Sequence, residues 1–365
     1  MSRRWVVAVL LVVSGCTASP SVAPAPERVS AQPLRPRAAH TASLLPDGRV
    51  LLAGGCSDNG CSTADRDQPS TEFYQPGRGF VPGPPMLHPR DGHSATTLND
   101  GRILIVGGFA REGTAPITAA ELFDPATATF RPAGTVNVGR GAHTATLLHD
   151  GRVLIAGGWI GPRTYTADVE IYDPATNTFA PAAPMPQPRI GAVAVARPDG
   201  DVLIIGGQDG PVHGLASTVI YNPAANAWRP GPAMRTPRFK HALATLDDGR
   251  VFVLGGTTND RELLADSEIL DPDGRRFTTG PVMTTSRYKV MATATANGRI
   301  VVVGGVGADV LASDRRSFTT IPAGGTAWRS FPTVTALPDG SVLVVGGYDK
   351  QINVHPDAFV IPAFA

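Results

Sequence analysis

The apolar and polar positions of the chain recur as a unit of about fifty residues, and a single unit shows what the pattern predicts. In the third copy, His143 to Leu148 reads as a first short strand. Asp150-Gly151 then reads as a type I′ hairpin turn, because this dipeptide tolerates positive φ at both central positions. Arg152 to Ala156 follows as a second strand, and its near-continuous apolar run (Val153, Leu154, Ile155) suits a strand covered on both faces. Gly157-Gly158 ends it, where a bulge or a close backbone approach needs no Cβ. Beyond a loop, Val169 to Tyr172 predicts a third strand closed by Asp173-Pro174. Thr178 to Ala180 opens a fourth, with Met185 packing near its end. Long stretches of helical periodicity are absent.

Seven copies keep this register. Gly-Gly pairs stand at 54/55, 107/108, 157/158, 206/207, 255/256, 304/305 and 346/347. Seven residues before the second Gly of each pair is another Gly, preceded six times by Asp and once by Asn297. Eleven residues before that Gly is always an Arg: Arg37, Arg90, Arg140, Arg189, Arg238, Arg287 and Arg329. Four antiparallel strands per copy, none able to bury its faces alone, describe a propeller blade. The expected fold is therefore an all-β, seven-bladed β-propeller. The last two copies are degenerate: the sixth lacks the Asp-Pro turn, and only 18 residues follow Gly347 in the seventh. Two closures are open. Ile352 to Val354 and Phe359 to Pro362 supply strands three and four of the last blade, or residues 28 to 34 lend it a strand from the N-terminal side.

The Gly-Gly pair after strand two is joined by an aromatic in strand three (Tyr74, Phe123, Tyr172, Tyr221). Another aromatic opens strand four (Phe80, Phe130, Phe179, Trp228, Phe277). Together these resemble Kelch repeats, in the bacterial form found in the central domain of galactose oxidase-like proteins. The resemblance runs from residue 37 to about 365 and implies a Kelch-type propeller over 36–365. Galactose oxidase-like enzymes use a copper held by Tyr and His, with a Cys cross-linked to a Tyr. This chain has no spare Cys for that role and no further domain to bring another ligand, so no metal and no cofactor are expected.

Charge narrows the partners. With 32 basic and 31 acidic residues, the net charge of +1 leaves no strong electrostatic footprint for nucleic acid or anionic membranes. Gly (41) and Pro (34) are abundant, yet 42% of the chain is hydrophobic, which fits a turn-rich β fold and not disorder. The N-terminus reads as an address. Arg3 and Arg4 precede an apolar run from Trp5 to Val13, too short to span a bilayer. Val13-Ser14-Gly15-Cys16 resembles a bacterial lipobox, which implies a signal peptide over 1–15 and lipidation of Cys16. Thr17 in place of Asp favours the outer membrane or cell surface. Residues 16–35, rich in Ala, Ser and Pro, read as a tether.

Antiparallel connectivity sends the Asp-Gly turns to one face and the loops after Gly-Gly, with the repeated Arg, to the other. The second face carries the unequal loops, where binding on a rigid scaffold usually resides. Strand three carries Glu at one offset in four copies (Glu72, Glu121, Glu170, Glu268), so the Arg residues are expected to pair within blades. Copies without that Glu leave Arg189, Arg287 and Arg329 as ligand-binding candidates, together with Phe109, Trp159, Tyr165, Asp209 and Tyr348 on the variable loops. His40, His93, His143 and His241 recur once per blade without metal-ligand spacing and read as structural. Cys56 and Cys61 bracket a four-residue segment and are expected to form a disulfide in an oxidising compartment. No catalytic constellation stands out. The expectation is a lipid-anchored, exported, non-catalytic propeller that binds a protein or glycan partner. A carbohydrate-active enzyme with its site at the channel mouth, galactose oxidase-like or other, is the alternative, and a purely structural envelope component is a third reading.

Overall fold

Seven four-stranded antiparallel sheets follow one another along the chain in the computed structural model. It describes residues 25–29, 31–57, 70–110, 115–210, 213–321 and 328–364. The expected signal peptide, Cys16, half of the expected tether and Cys61 lie outside the described residues. The third blade comprises Thr144–Leu147, Val153–Ala156, Val169–Asp173 and Thr178–Ala182, paired in sequence order. The second strand is buried at all four positions in every blade. It lies between two partner strands and between two neighbouring blades, which is why its sequence is solidly apolar. First strands of adjacent blades pack side by side around the axis, blade 1 against blade 7 included, and an apolar cluster joins blade 4 to blade 5, so the ring is closed.

Apolar clusters fill the spaces between adjacent blades. One joins Leu104 and Val106 of the second blade to Val153, Ile155 and Tyr172 of the third. The aromatics of strands three and four are direct cross-strand partners: Tyr74 and Phe80, Phe123 and Phe130, Tyr172 and Phe179, Tyr221 and Trp228. Their ring centroids lie 4.9–5.2 Å apart in tilted contact, a favourable aromatic geometry.

The Asp-Gly turns are not type I′. At the third of them Gly151 has φ 87° while Asp150 stays outside the left-handed region. The Gly151 N–H donates to the Leu148 carbonyl and the Leu148 N–H to the Arg152 carbonyl. This is a type I turn followed by a left-handed Gly, the three-residue hairpin with a G1 bulge. Asp150 Oδ1 accepts the Arg152 N–H at 3.0 Å, a side-chain brace that keeps the Asp out of the left-handed region.

The last blade closes by the N-terminal route. Glu27–Arg28 pairs with Ala358–Ile361 as the outermost strand, giving the order Glu27–Arg28, Ala358–Ile361, Val342–Val345, Thr333–Ala336. Ala358–Ile361 is thus the third strand, and Ile352 to Val354 is not a strand. Gln32 fastens the closure: its Oε1 accepts the Ala358 N–H at 2.8 Å and its Nε2 donates to the Ala358 carbonyl at 3.3 Å. The closing strand runs from the Asp-Gly face toward the Gly-Gly face, so residue 25 and the C-terminal segment both lie at the Asp-Gly face. Asn297, in the turn of blade 6, donates to the Phe364 carbonyl there at 2.8 Å.

Candidate functional site

The repeated Arg is the pin of each blade. All seven are buried. Each sends Nη1 to the carbonyl of the first Gly of its own Gly-Gly pair, from Arg37 to Gly54 at 2.7 Å through Arg329 to Gly346 at 2.7 Å. Its own carbonyl accepts the N–H of the second Gly of the preceding blade, as with Gly256 and Arg287 at 2.8 Å. The approach is close: a Cβ on Gly255 would sit 2.9 Å from the Arg287 carbonyl oxygen. Glycine is therefore demanded by packing at this position.

Four of these arginines pair with the strand-three Glu: Arg37 with Glu72 at 2.9 Å, Arg90 with Glu121 at 2.6 Å, Arg140 with Glu170 at 3.0 Å and Arg238 with Glu268 at 3.1 Å. Each Glu also accepts backbone N–H groups of the inter-blade segment, such as Leu87 and His88 on Glu121. Arg287 and Arg329 do not lack a carboxylate, contrary to the sequence expectation. Asp309 lies 2.9 Å from Arg287 and Asp357 lies 2.8 Å from Arg329. A shorter acid serves where the loop and the third strand have changed. Only Arg189 has no carboxylate within ion-pair distance among the described residues. Its Nη1 donates to the Gly206 and Ser217 carbonyls and its Nη2 to Ser217 Oγ. Burial pushes its guanidinium down to about 10, with Asp209 opposing. The cause lies in the paired segment. Leu34, Leu87, Asn137, Arg235 and Thr284 each donate an N–H to the strand-three acid of their blade. Blade 4 has Pro186 at that position, which has no N–H to give, and Val219 replaces the acid.

The histidines bridge blades. Nε2 of His40, His93 and His143 meets the hydroxyl of Thr333, Thr41 and Ser94 in the preceding blade at 2.9, 3.0 and 2.8 Å. His241 faces Val193 at that position and has no hydrogen-bond partner on either nitrogen. Burial pushes His40, His143 and His241 down to about 3, with the nearby Arg37, Arg140 and Arg238 adding to the effect. They are neutral at ordinary pH.

Two residues after each repeated Arg, the backbone enters the left-handed region in all seven blades. The residues are Ala39, Gly92, Ala142, Gly191, Lys240, Lys289 and Phe331, with φ between 50° and 61°. The N–H of each donates to the carbonyl of the one before: Gly92 to Ala39 at 3.1 Å, Ala142 to Gly92 at 3.0 Å, Gly191 to Ala142 at 3.4 Å and Lys240 to Gly191 at 2.9 Å. Lys289 continues to Lys240 at 3.1 Å and Phe331 to Lys289 at 3.1 Å, and Ala39 to Phe331 at 3.4 Å closes the circle. A collar of main-chain hydrogen bonds thus rims the channel on the long-loop face.

The collar is uneven. Blades 1 to 4 place Ala39, Gly92, Ala142 and Gly191 on it; the glycines suit the left-handed region, the alanines bear its Cβ penalty, and a Cβ on Gly92 would meet open space. Blades 5 to 7 place Lys240, Lys289 and Phe331 there, at a backbone cost of roughly 1 kcal/mol for each large L-residue. The Lys240 ammonium donates to Asp260 Oδ1 at 3.0 Å and to the Tyr288 hydroxyl at 3.1 Å. The Lys289 ammonium lies 5.0 Å from the Tyr288 ring centroid and 4.8 Å from that of Phe331. Burial and Asp260 push the Tyr288 hydroxyl up, so it stays protonated. Neither lysine was singled out in the sequence. The signal was there in the position two after each Arg, which reads Ala, Gly, Ala, Gly, Lys, Lys, Phe.

The aromatic candidates fall into two places. Phe109 bridges to Asp91 and Trp159 bridges to Gly141, each beside a collar residue. Their rings are 4.9 Å apart, and Tyr165 pairs with Trp159 across a two-stranded hairpin. Phe109 is buried beneath this cluster, while Trp159 and Tyr165 are half-buried. Asp209 is exposed on the blade 4 loop. Tyr348 is buried in a separate cluster with Ala38 and Cys56. Cys56 is disulfide-bonded, and Cys61, its expected partner, lies outside the described residues. Two grooves lie away from the mouth, one of about 280 Å³ between blades 3 and 4 and one of about 320 Å³ beside Arg37. They are gaps on blade flanks, lined by residues already engaged in the scaffold.

Fold and repeat together define a seven-bladed Kelch-type β-propeller. Residues 81–256 match the KLHDC2/KLHL20/DRC7 Kelch-repeats domain. No curated protein matches the chain. Among solved structures it is similar to a fungal alcohol oxidase of the AA5 family in complex with copper, with TM-score 0.73 and 18% identity over 91% of this chain and 75% of that one. It is also similar to YjhT, with TM-score 0.60 and 12% identity over 80% of this chain and 98% of that one. Three of the buried histidines direct Nε2 to hydroxyls between blades, and no group of three or more His, Cys, Asp or Glu converges among the described residues.

Proposed function

We propose that the protein is a non-catalytic binding propeller, exported and anchored to the cell envelope through a lipidated Cys16, that engages a protein or glycan partner with its long-loop face. A Kelch propeller suggests an interaction role, and the uneven collar is the observation that carries the reading. The repeated Arg, and His40, His93 and His143, are occupied within and between blades. What differs from blade to blade on this face is the collar and the loops beside it, and such differences are where a rigid scaffold carries recognition.

Strand polarity supports the display role. The closing strand enters from the Asp-Gly face, and ten residues lie between Cys16 and Glu27. That stretch reaches at most about 40 Å. A lipid at Cys16 would hold the Asp-Gly face toward the membrane and turn the collar outward. The experiment is a glycan-array and pull-down screen of the soluble domain, run beside a copper-loaded oxidase assay. Binding that is lost in Trp159→Ala and kept in Arg152→Ala, on the opposite face, supports the reading. Sugar or alcohol turnover would overturn it.

A further inference from the structure

The junctions between blades are built alike, with one exception. At six of them the first strands of the two neighbours pack side by side. The first strands of blades 4 and 5, Val193–Ala196 and Ala242–Thr245, do not. Side-chain size explains the difference. The second residue of each first strand packs against the preceding blade. It is Ala in five blades, as with Ala145 and Ala292, Val334 in blade 7, and Leu243 in blade 5. Blades 5 and 6, where Ala242 and Ala244 meet Ala292 and Ala294, come together most extensively. A leucine in this place holds two strands apart, because an interior packed to crystal density has no spare room for it.

The same junction has lost its polar tie. At three other junctions His40, His93 and His143 reach Thr333, Thr41 and Ser94 across the gap. Val193 has no hydroxyl to offer, and His241, 5% exposed, has no partner on either ring nitrogen. A buried imidazole that leaves water without gaining a partner weakens the contact enclosing it. On its other side blade 4 is held fast. Its first strand packs on that of blade 3, Trp228 Nε1 donates to the Ala183 carbonyl at 2.7 Å, and Asn226 Oδ1 accepts the Ala183 N–H at 2.8 Å. Toward blade 5, the long-loop face is bridged by main chain. Lys240 donates to the Gly191 carbonyl at 2.9 Å, Gly207 to Arg238 at 3.0 Å and Gly214 to Thr258 at 2.7 Å.

We propose that the junction between blades 4 and 5 is a seam in the ring: wedged by Leu243 and untied at Val193, it parts along the first strands while the other junctions stay closed. The apolar cluster farther out, with Ile205, Met234 and Val253, keeps the two blades hinged. Parting separates Gly191 from Lys240, breaks the collar at that link and widens the mouth on this side. The proposal stands on packing and does not depend on the binding reading.

The test is amide hydrogen exchange of the full chain in rising urea, below the unfolding transition, with each amide referred to its intrinsic rate. The Lys240 and Gly207 amides cross the seam, and the Ala142 and Gly108 amides make the matching bonds between blades 2 and 3. The seam amides should exchange about tenfold faster than the matching pair, or more. Local parting exposes little surface, so low urea should leave their rate unchanged, whereas exchange through global unfolding rises with urea. Val193→Thr combined with Leu243→Ala should bring the seam amides to the protection of the matching pair. Equal protection of the two pairs in the wild type overturns the proposal, and so do seam amides that follow global unfolding. A folded double variant with its seam amides unchanged overturns it as well. Should the double variant fail to fold, the wild-type comparison decides.

Discussion

The Lys240 N–H donates to the Gly191 carbonyl at 2.9 Å, and a Cβ built on Gly191 would lie 3.4 Å from Lys240 Cγ. The lysine stem therefore runs over its smaller neighbour on the collar. Gly191 itself has φ 61°. Gly191→Ala should cost about 1 kcal/mol, because the methyl strains the left-handed backbone and tightens that contact. Lys240→Gly should be neutral or stabilising by up to about 1 kcal/mol for the opposite reason. Urea unfolding of both variants checks the pair. A destabilised Lys240→Gly would mean that the lysine is held for the fold.

The strand-three acids hold both an arginine and the segment leading into the blade. Glu170 takes Arg140 Nη2 at 3.0 Å and the Asn137 N–H at 2.8 Å. Glu170→Ala leaves a buried guanidinium and backbone donors without an acceptor, and should cost about 3–5 kcal/mol. Arg189→Met removes a guanidinium that has no carboxylate to strand, so its cost should be clearly smaller, with ligand affinity unchanged. Denaturation midpoints and calorimetry decide it. A loss of affinity at full stability would return Arg189 to the binding site.

Buried histidines set a pH dependence. His40 and His241 sit near 3 in the folded protein because burial disfavours their charge, against about 6.5 when unfolded. Their contribution is fully present above the unfolded value. As pH falls from about 6.5 toward 3, the unfolded chain gains protons that the folded one refuses, and stability drops by up to about 1.4 kcal/mol per pH unit for each. His241→Phe should flatten that slope. Val193→Thr offers Nε2 the hydroxyl it lacks and should add about 0.5–1.5 kcal/mol at pH 7. Unfolding series between pH 4 and 7 test both.

Closure by the N-terminal strand makes its own prediction. Starting the chain at residue 25 should leave stability unchanged. Starting it at residue 33 removes Glu27–Arg28 and the Gln32 bonds to Ala358, exposes the edge of Ala358–Ile361, and should lower the midpoint by several degrees. Equal midpoints would mean that the last blade closes without that strand.

The scaffold was legible because its residues recur. The apolar second strands, the Gly-Gly pairs, and the Arg and Glu of each blade follow from one local geometry written seven times. The turn type was misread because Asp-Gly serves both a type I′ turn and a G1 bulge, and only the Asp150 brace decides between them. The carboxylates of Arg287 and Arg329 were missed because Asp309 and Asp357 stand on degenerate repeats, where residue spacing no longer marks them. The collar escaped because its common feature is a backbone dihedral, shared by residues as unlike as Gly191, Lys289 and Phe331. Ligand chemistry resides in the exceptions to a repeat, and exceptions gain meaning only once the repeat has been placed in space.

Amide hydrogen exchange of the soluble propeller with and without the partner that the glycan array or pull-down identifies tests the central claim most directly, because it reports where the partner sits. Protection confined to the collar and the loops beside it, at Gly92, Ala142, Trp159 to Tyr165, Lys240 and Lys289, is the predicted result. Protection at the Asp-Gly turns, or binding that leaves the collar amides unchanged, would contradict it.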